Sequence, residues 1–337
     1  MILFWLYHRS GGFARVLREF FARIPYSASG RDAPKGLPNP DIFAIMGAQD
    51  PPDAHTGRRA RREETERDEK EGRTVEKTRT QGLPDDCPAR FRELFRGAAV
   101  YDSSCSDAAR VYYIAQDEGY FLKRAGKGAL RCEAGMTEVF FRAGLGAEML
   151  GYESESSDWM LTRRLPGEDG THFTDRPELL CALLGEAFRS LHDEGLERVG
   201  GQEGIPERCA AVMASAEAGL ARGVFNEYLG TERYGIRNAE DARHILHNSG
   251  KLCPSALVHG DACLPNVLID GERVSGFIDC GAAGLGDRHS DLFWTVWSLG
   301  YNLKTDRFAD RFLDAYGRDA VDPGRLVLAA AAEAVTE

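Results

Sequence analysis

The run His259-Gly260-Asp261-Ala262-Cys263-Leu264-Pro265-Asn266, with Phe277-Ile278-Asp279-Cys280-Gly281 a short way downstream, decides how the rest of the chain is read. Val267-Leu268-Ile269 has the composition of a short buried strand, and Val274 to Ile278 has it again. Between them Asp270-Gly271-Glu272-Arg273 carries the Asp-Gly signal of a tight turn. Folding that hairpin brings Asn266, just before the first strand, beside Asp279, just after the second. Both then face one point, although thirteen residues separate them. Asp261 stands on the loop that leads in, five residues ahead of Asn266.

Phosphoryl transfer uses this frame. An aligning Asp five residues before a metal-binding Asn, and a second Asp followed two residues later by Gly, is the spacing of the protein-kinase loops. Magnesium prefers hard oxygen donors and takes one or two carboxylates together with substrate phosphates. Asn266 and Asp279 are therefore the candidate metal ligands, with ATP oxygens completing the set. Asp261 stays off the metal, able to accept a proton from an attacking hydroxyl. Taken singly, a His-Gly-Asp is an ordinary turn and an Asp-x-Gly is commonplace. Their order around one hairpin is what points to an ATP-dependent kinase.

A chain of 337 residues is long enough for two lobes and a sizeable core, and 43% apolar with 28% charged residues describes a globular rather than a fibrous or membrane chain. The net charge of −11 is unevenly spread: residues 1–84 carry +3 and the remainder −14. An acidic catalytic region repels nucleic acid and attracts cations, so no nucleic-acid partner is expected. The eight cysteines have no C-x-x-C spacing and no clustered His, which argues against zinc. Cys263 and Cys280 flank the candidate site, where a disulfide would distort it, so reduced thiols in a cytoplasm are expected. No run reaches the length of a membrane span, and Met1 to Tyr7 is too short for a signal peptide.

Residues 1–84 look unlike the rest. Phe13 to Ile24 fits one amphipathic helix, and a Pro/Gly/Ser-rich segment follows through Pro52. From Asp53 to Thr80 the only aliphatic residues are Ala54, Ala60 and Val75, too few to offset chain entropy, so this extension is expected to be disordered or a solvated helix. Beyond it, strands are expected at Ala98 to Tyr101, Val111 to Ala115, Gly119 to Leu122, a segment ending near Tyr152, and Trp159 to Thr162. A helix over Glu133 to Ala143 interrupts them. After Pro166-Gly167 helices dominate: Pro177 to Glu194, Glu207 to Ala221, Ala239 to Asn248, His289 to Gly300 and Asp306 to Tyr316. The expectation is an α+β chain with a small β-rich lobe over 85–165, a larger helical lobe over 166–337, and a cleft between them.

These residues carry a resemblance. From Asp85 onward the chain resembles the aminoglycoside 3′-phosphotransferases, the kanamycin and neomycin kinases. The likeness runs through Cys-Ser-Asp-Ala-Ala at 105–109, Phe-Leu-Lys at 121–123, Asp-Trp at 158–159 and Leu-Pro-Gly at 165–167. It continues through the two runs quoted above, Asp-Arg-His-Ser-Asp at 287–291 and Ala-Asp-Arg-Phe-Leu-Asp-Ala-Tyr-Gly at 309–317. About three quarters of the chain is covered. The resemblance implies a protein-kinase-like bilobal fold and transfer of the ATP γ-phosphate to a hydroxyl, the 3′-hydroxyl first, of an aminoglycoside antibiotic; the protein is expected to be cytoplasmic, a monomer or weak dimer. It implies Asp261 as the catalytic or hydroxyl-orienting carboxylate, and Asn266 and Asp279 on Mg2+. Lys123 would meet the α- and β-phosphates, paired with Glu133; Glu138 is the alternative, because the segment between Lys123 and the helix is shortened. Ser106 would lie over the phosphates in a loop without the usual glycines. Phe121 would stack on adenine, and the backbone at Arg163 and Leu165 would read its edge. Asp287 and Asp291 would brace the catalytic loop and cap the next helix, and His192 and His259 would stabilise it by hydrogen bonds.

The acceptor side departs from the family. Relatives line it with acids and end on an aromatic pair, whereas this chain ends Ala329-Ala330-Ala331-Ala332-Glu333-Ala334-Val335-Thr336-Glu337, and Ser298 takes the family's acidic position. Glu227, Glu232, Glu333 and Glu337 are the replacement candidates. A kinase acting on another small hydroxylated amine is the nearest rival reading. A non-catalytic nucleotide-binding module, or an interaction protein working through residues 1–84, belongs to other classes; the joint presence of Lys123, Asp261, Asn266 and Asp279 speaks against the former.

Overall fold

Burial alternates along Ala109–Ala115 and the start of Tyr120–Gly126, the period of a pleated strand. The structure is a computed structural model, and it describes residues 78–105, 108–229 and 231–336. Residues 1–77 of the expected extension, together with Ser106 and Glu337, lie outside the described residues. Strands β1 (Thr78–Arg79), β2 (Ala99–Asp102), β3 (Ala109–Ala115), β4 (Tyr120–Gly126), β5 (Met149–Ser154) and β6 (Ser157–Arg163) form one antiparallel sheet in the order β1-β2-β3-β4-β6-β5. The boundary of the extension needs correction: Thr78 and Arg79 pair with Asp102 and Tyr101, and Leu83 packs on the sheet's core. A polar stretch can still add an edge strand, because pairing uses backbone groups.

Within β4 the pleat sends Tyr120 and Leu122 into a core with Ile114, Trp159 and Leu161. Helix α1 (Ala89–Leu94) covers that face with Phe91, and Phe95 just beyond it lays its ring 5.0 Å from Tyr120. Phe121 and Lys123 are the alternate residues of β4 and face the other way. On that side lies α2 (Arg131–Arg142), whose Met136 and Phe140 belong to the core of the second lobe. The helix that carries Glu133 is therefore anchored in the helical half.

A short link, with the two-residue strand β7 (Glu168–Asp169), leads to α3 (Pro177–Arg198), α4 (Cys209–Arg222) and α5 (Ala239–Asn248). Leu180, Leu184, Phe188 and Leu191 on α3 form a buried stripe at helical spacing. Strand β8 (Ala256–Val258) precedes the loop that carries Asp261. The hairpin follows as β9 (Val267–Asp270) and β10 (Arg273–Phe277), turning on Gly271-Glu272 with a register shift between Val274 and Gly276. Strand β11 (Gly284–Gly286) then pairs back onto β8, and α6 (Arg288–Leu303), α7 (Ala309–Tyr316) and α8 (Pro323–Ala334) close the lobe. The lobes meet where the Phe277 N–H donates to the Leu145 carbonyl at 2.8 Å. Among the described residues no helix is long and apolar enough to cross a membrane.

Candidate active site

The loop between β8 and β9 is held by one buried carboxylate. Asp291, in the first turn of α6 and fully buried, accepts the His259 N–H at 2.7 Å, the Gly260 N–H at 2.8 Å and the His192 Nε2–H at 3.1 Å. His192 Nδ1 in turn accepts from the Tyr316 hydroxyl at 2.9 Å. His259 donates from Nε2 to the Ile278 carbonyl at 2.8 Å, and its Nδ1 faces the Asp261 N–H at 3.3 Å. Both histidines are spent on structure, as expected. Gly260 has φ +79°, and a Cβ there would stand 2.2 Å from the Ala282 carbonyl oxygen, so only glycine lets the two loops approach. Asp287 caps α6 by accepting the His289 N–H at 3.1 Å, and it also takes Cys253 N–H at 2.8 Å and Arg325 at 3.0 Å.

The hairpin closes its two ends on each other. Ile278 N–H donates to the Asn266 carbonyl at 3.0 Å, and Asn266 Nδ2 donates to the Asp261 carbonyl at 2.9 Å. The Asn266 amide nitrogen is thereby committed, which leaves its oxygen as the end able to meet a cation. Asp279 follows in a left-handed conformation, φ 58° and ψ 46°, rare for a residue with a side chain. Asp261 and Asn266 are buried, while Asp279 keeps a third of its side chain exposed.

Lys123 closes the site from the sheet. Its Nζ lies 2.7 and 2.9 Å from the two Glu133 oxygens and 3.0 Å from Asp279 Oδ1. Burial works to lower the lysine pKa, but Asp279 and Glu133 outweigh it and hold the ammonium above its ordinary value. Glu138, the alternative partner, pairs instead with Arg142 one turn along α2. The short segment between Lys123 and α2 is positioned by Asp158, which sequence reasoning noted only as part of a motif. Its buried carboxylate accepts from Gly128 N–H and Leu130 N–H, both at 2.9 Å, from the Tyr152 hydroxyl at 2.9 Å and from Ser154 at 2.6 Å. Burial alone would raise this acid, and the four hydrogen bonds bring it down to about 2.

The remaining candidates divide. Phe121 is half-buried on the same face as Lys123, its ring 5.3 Å from Tyr113. The Arg163 N–H is committed to the Glu148 carbonyl at 2.9 Å, so of its backbone only the carbonyl remains for a ligand. Leu165 lies in the link just past β6, half-buried. Glu227 and Glu232 are exposed on single-turn helices between α4 and α5. Glu333 is buried in α8, one carboxylate oxygen without a hydrogen-bond partner. Burial, with Asp261 and Asp291 nearby, pushes its pKa up to about 7.

Asp279 and Asn266 offer hard oxygen donors. Among the described residues no three His, Cys, Asp or Glu side chains cluster to hold a metal by themselves. The donor set of one carboxylate and one amide oxygen therefore fits a hard cation that arrives with phosphate oxygens, and does not fit a resident transition metal.

Residues 106–329 match the model of a phosphotransferase enzyme family. A Lactococcus lactis protein described as a probable aminoglycoside 3′-phosphotransferase is 37% identical over 251 residues, which is 73% of this chain and 94% of that protein. A crystal structure of an aminoglycoside-3′-phosphotransferase of type VIII shares the fold with a TM-score of 0.57 at 24% identity, over 74% of this chain and 98% of that one. A thermostable aminoglycoside phosphotransferase APH(4)-Ia mutant, solved with AMP-PNP and hygromycin B, superposes with a TM-score of 0.50 at 16% identity, over 72% of this chain and 86% of that one.

Proposed function

The chain belongs to the phosphotransferase enzyme family, and we propose that it transfers the γ-phosphoryl group of ATP to the 3′-hydroxyl of an aminoglycoside. The observation that carries this reading is Lys123 gripping Glu133 and Asp279 at once, beside a loop that ties Asn266 to Asp261. The 94% coverage of the Lactococcus lactis protein supports the choice of acceptor class. The solved AMP-PNP complex of a neighbour in the same fold supports ATP as donor.

In this reading Asp261 orients the acceptor hydroxyl and takes its proton as the bond to phosphorus forms. Phosphoryl transfer asks for positioning and charge neutralisation more than covalent help, and the buried loop under Asp291 supplies the positioning. Lys123 offsets charge on the α- and β-phosphates, held at the right height by Glu133. Asn266 and Asp279 would hold Mg2+, which supplies a positive charge for the triphosphate oxygens when bound. Phe121 would pack on adenine, with the Arg163 carbonyl and Leu165 N–H at its edge. The nucleotide falls to the region 85–165, and the catalytic loop and acceptor pocket to 166–337. Glu333, with Glu227 and Glu232 further out, would receive the acceptor's ammonium groups.

The test is ATP consumption by the purified protein with aminoglycosides that carry or lack the 3′-hydroxyl. Turnover confined to the 3′-hydroxyl compounds is expected. Turnover with 3′-deoxy compounds would move the regiospecificity, and turnover only with another hydroxylated amine would replace the acceptor while keeping the chemistry.

A further inference from the structure

Arg208 has no part in the roles above, yet its side chain bridges the segments that carry the two acids holding Lys123. It lies in the loop before α4, where its backbone is pinned to β11. Arg208 N–H donates to the Leu285 carbonyl at 2.9 Å, and Leu285 N–H donates to the Pro206 carbonyl at 2.9 Å. A Cβ at Gly284 would stand 2.3 Å from the Pro206 carbonyl oxygen, so the two segments approach as closely as backbone permits. From that fixed base the half-buried guanidinium reaches three acceptors. Nε donates to the Ala283 carbonyl at 2.8 Å, and Nη2 donates to the Gly281 carbonyl at 2.9 Å and to Cys132 Sγ at 3.0 Å. Gly281 lies two residues past Asp279, and Cys132 immediately precedes Glu133. One planar group thus spans the loop of one acid and the first turn of the helix that carries the other. A guanidinium fork has donors in several fixed directions, whereas a lysine ammonium is a point charge that would meet one carbonyl at a time.

We propose that Arg208 is a positioning residue for phosphoryl transfer: it locks the Cys280–Ala283 turn against the start of α2 and so sets the distance at which Asp279 and Glu133 share Lys123. Its contacts are backbone carbonyls and a thiol, so it acts through the placement of the acids. The kinetic consequence rests on the kinase reading; the mechanical one does not.

Arg208→Ala, Arg208→Lys and Cys132→Ala, each in the full chain, test it. Arg208→Ala is expected to lower kcat by about 10- to 100-fold while leaving the acceptor KM within about twofold, because the acceptor's candidate ligands lie on other elements. Arg208→Lys should recover part of the loss. Cys132→Ala cuts only the helix end of the bridge, at an exposed residue, and should lower kcat by about two- to fivefold. In a Glu133→Gln background the same Arg208→Ala change should cost less than about threefold, since the partner it positions is already gone. Amide hydrogen exchange in Arg131–Gly135 and in Cys280–Ala283 should accelerate together in Arg208→Ala, with α7 unchanged. A merely structural arginine would lower activity in proportion to the folded fraction, multiply with Glu133→Gln, and loosen the lobe generally; any of these overturns the proposal. If Arg208→Ala does not fold, wild-type kcat and exchange in both Arg208→Lys and Cys132→Ala overturn it equally. Should the wild-type protein phosphorylate no aminoglycoside, the functional reading fails, and the exchange measurement still decides the role of Arg208.

Discussion

Replacing Asp291 by Asn removes a charge and turns one oxygen into a donor, with almost no change of shape. The carboxylate has no oxygen to spare: Oδ2 accepts from His259 N–H and His192, and Oδ1 accepts from Gly260 N–H. The least costly rotamer of the amide points its NH2 at Gly260 and keeps the other two bonds. That rotamer still loses one charge-assisted hydrogen bond, about 1.5–3 kcal/mol, and leaves a buried donor facing a donor, about 1–3 kcal/mol. The sum, about 2.5–6 kcal/mol, is a large part of the roughly 5–15 kcal/mol that holds a domain together. Relief would come by moving Gly260, which sits against Ala282 with no slack, so the strain passes to the loop that carries Asp261. Urea denaturation should show a lowered midpoint at unchanged slope, and kcat should fall by about 100-fold in the fraction that remains folded. Destabilisation below about 1 kcal/mol together with kcat within about twofold of wild type would refute the claim that this carboxylate organises the loop.

Other perturbations follow from the same geometry. Gly260→Ala places a Cβ into the Ala282 carbonyl at a left-handed backbone, and a loss of about 2–4 kcal/mol is expected by thermal or chemical denaturation; a neutral substitution would contradict the close approach. Glu333, with a folded-state pKa of about 7, stands above its unfolded value of about 4.3, so its contribution is complete below the lower value and is lost as pH rises through the upper one. Glu333→Gln should therefore be more stable than wild type by about 3 kcal/mol at pH 8 and nearly equal to it at pH 4. The same variant should raise the acceptor KM, and a variant less stable than wild type at pH 8 would contradict the burial argument.

Local signals made the hairpin at the candidate site legible. The Asp-Gly turn between two β-branched runs fixes the hairpin, and the hairpin brings Asn266 against Ile278, the residue before Asp279. The strands around Lys123 and the helix over Ala239–Asn248 were readable for the same reason: each period is completed within its own segment. What escaped depends on distant partners. Arg208 meets residues about 75 positions away, and no spacing announces such a contact. Asp158 caps a turn some thirty residues upstream, so its role could not be separated from that of any strand-end acid. Helix α8 has a good start in Asp322, which caps Gly324 and Arg325, followed by Pro323. Its interior of Leu328 through Ala332 is apolar on every side because the helix is buried all round, and a helical period cannot appear where every face is the same. Between Glu133 and Glu138 the sequence offers two acids on one helix, and only the short, Asp158-anchored turn before it decides which one reaches Lys123.

The most direct measurement compares turnover with nucleotide binding in Asp261→Asn. If Asp261 aligns the acceptor hydroxyl while Lys123, Asn266 and Asp279 manage the triphosphate, kcat with a 3′-hydroxyl aminoglycoside should fall by at least about 100-fold. The calorimetric Kd for AMP-PNP with Mg2+ should stay within about threefold of wild type. Undiminished turnover in this variant would contradict the account at its centre.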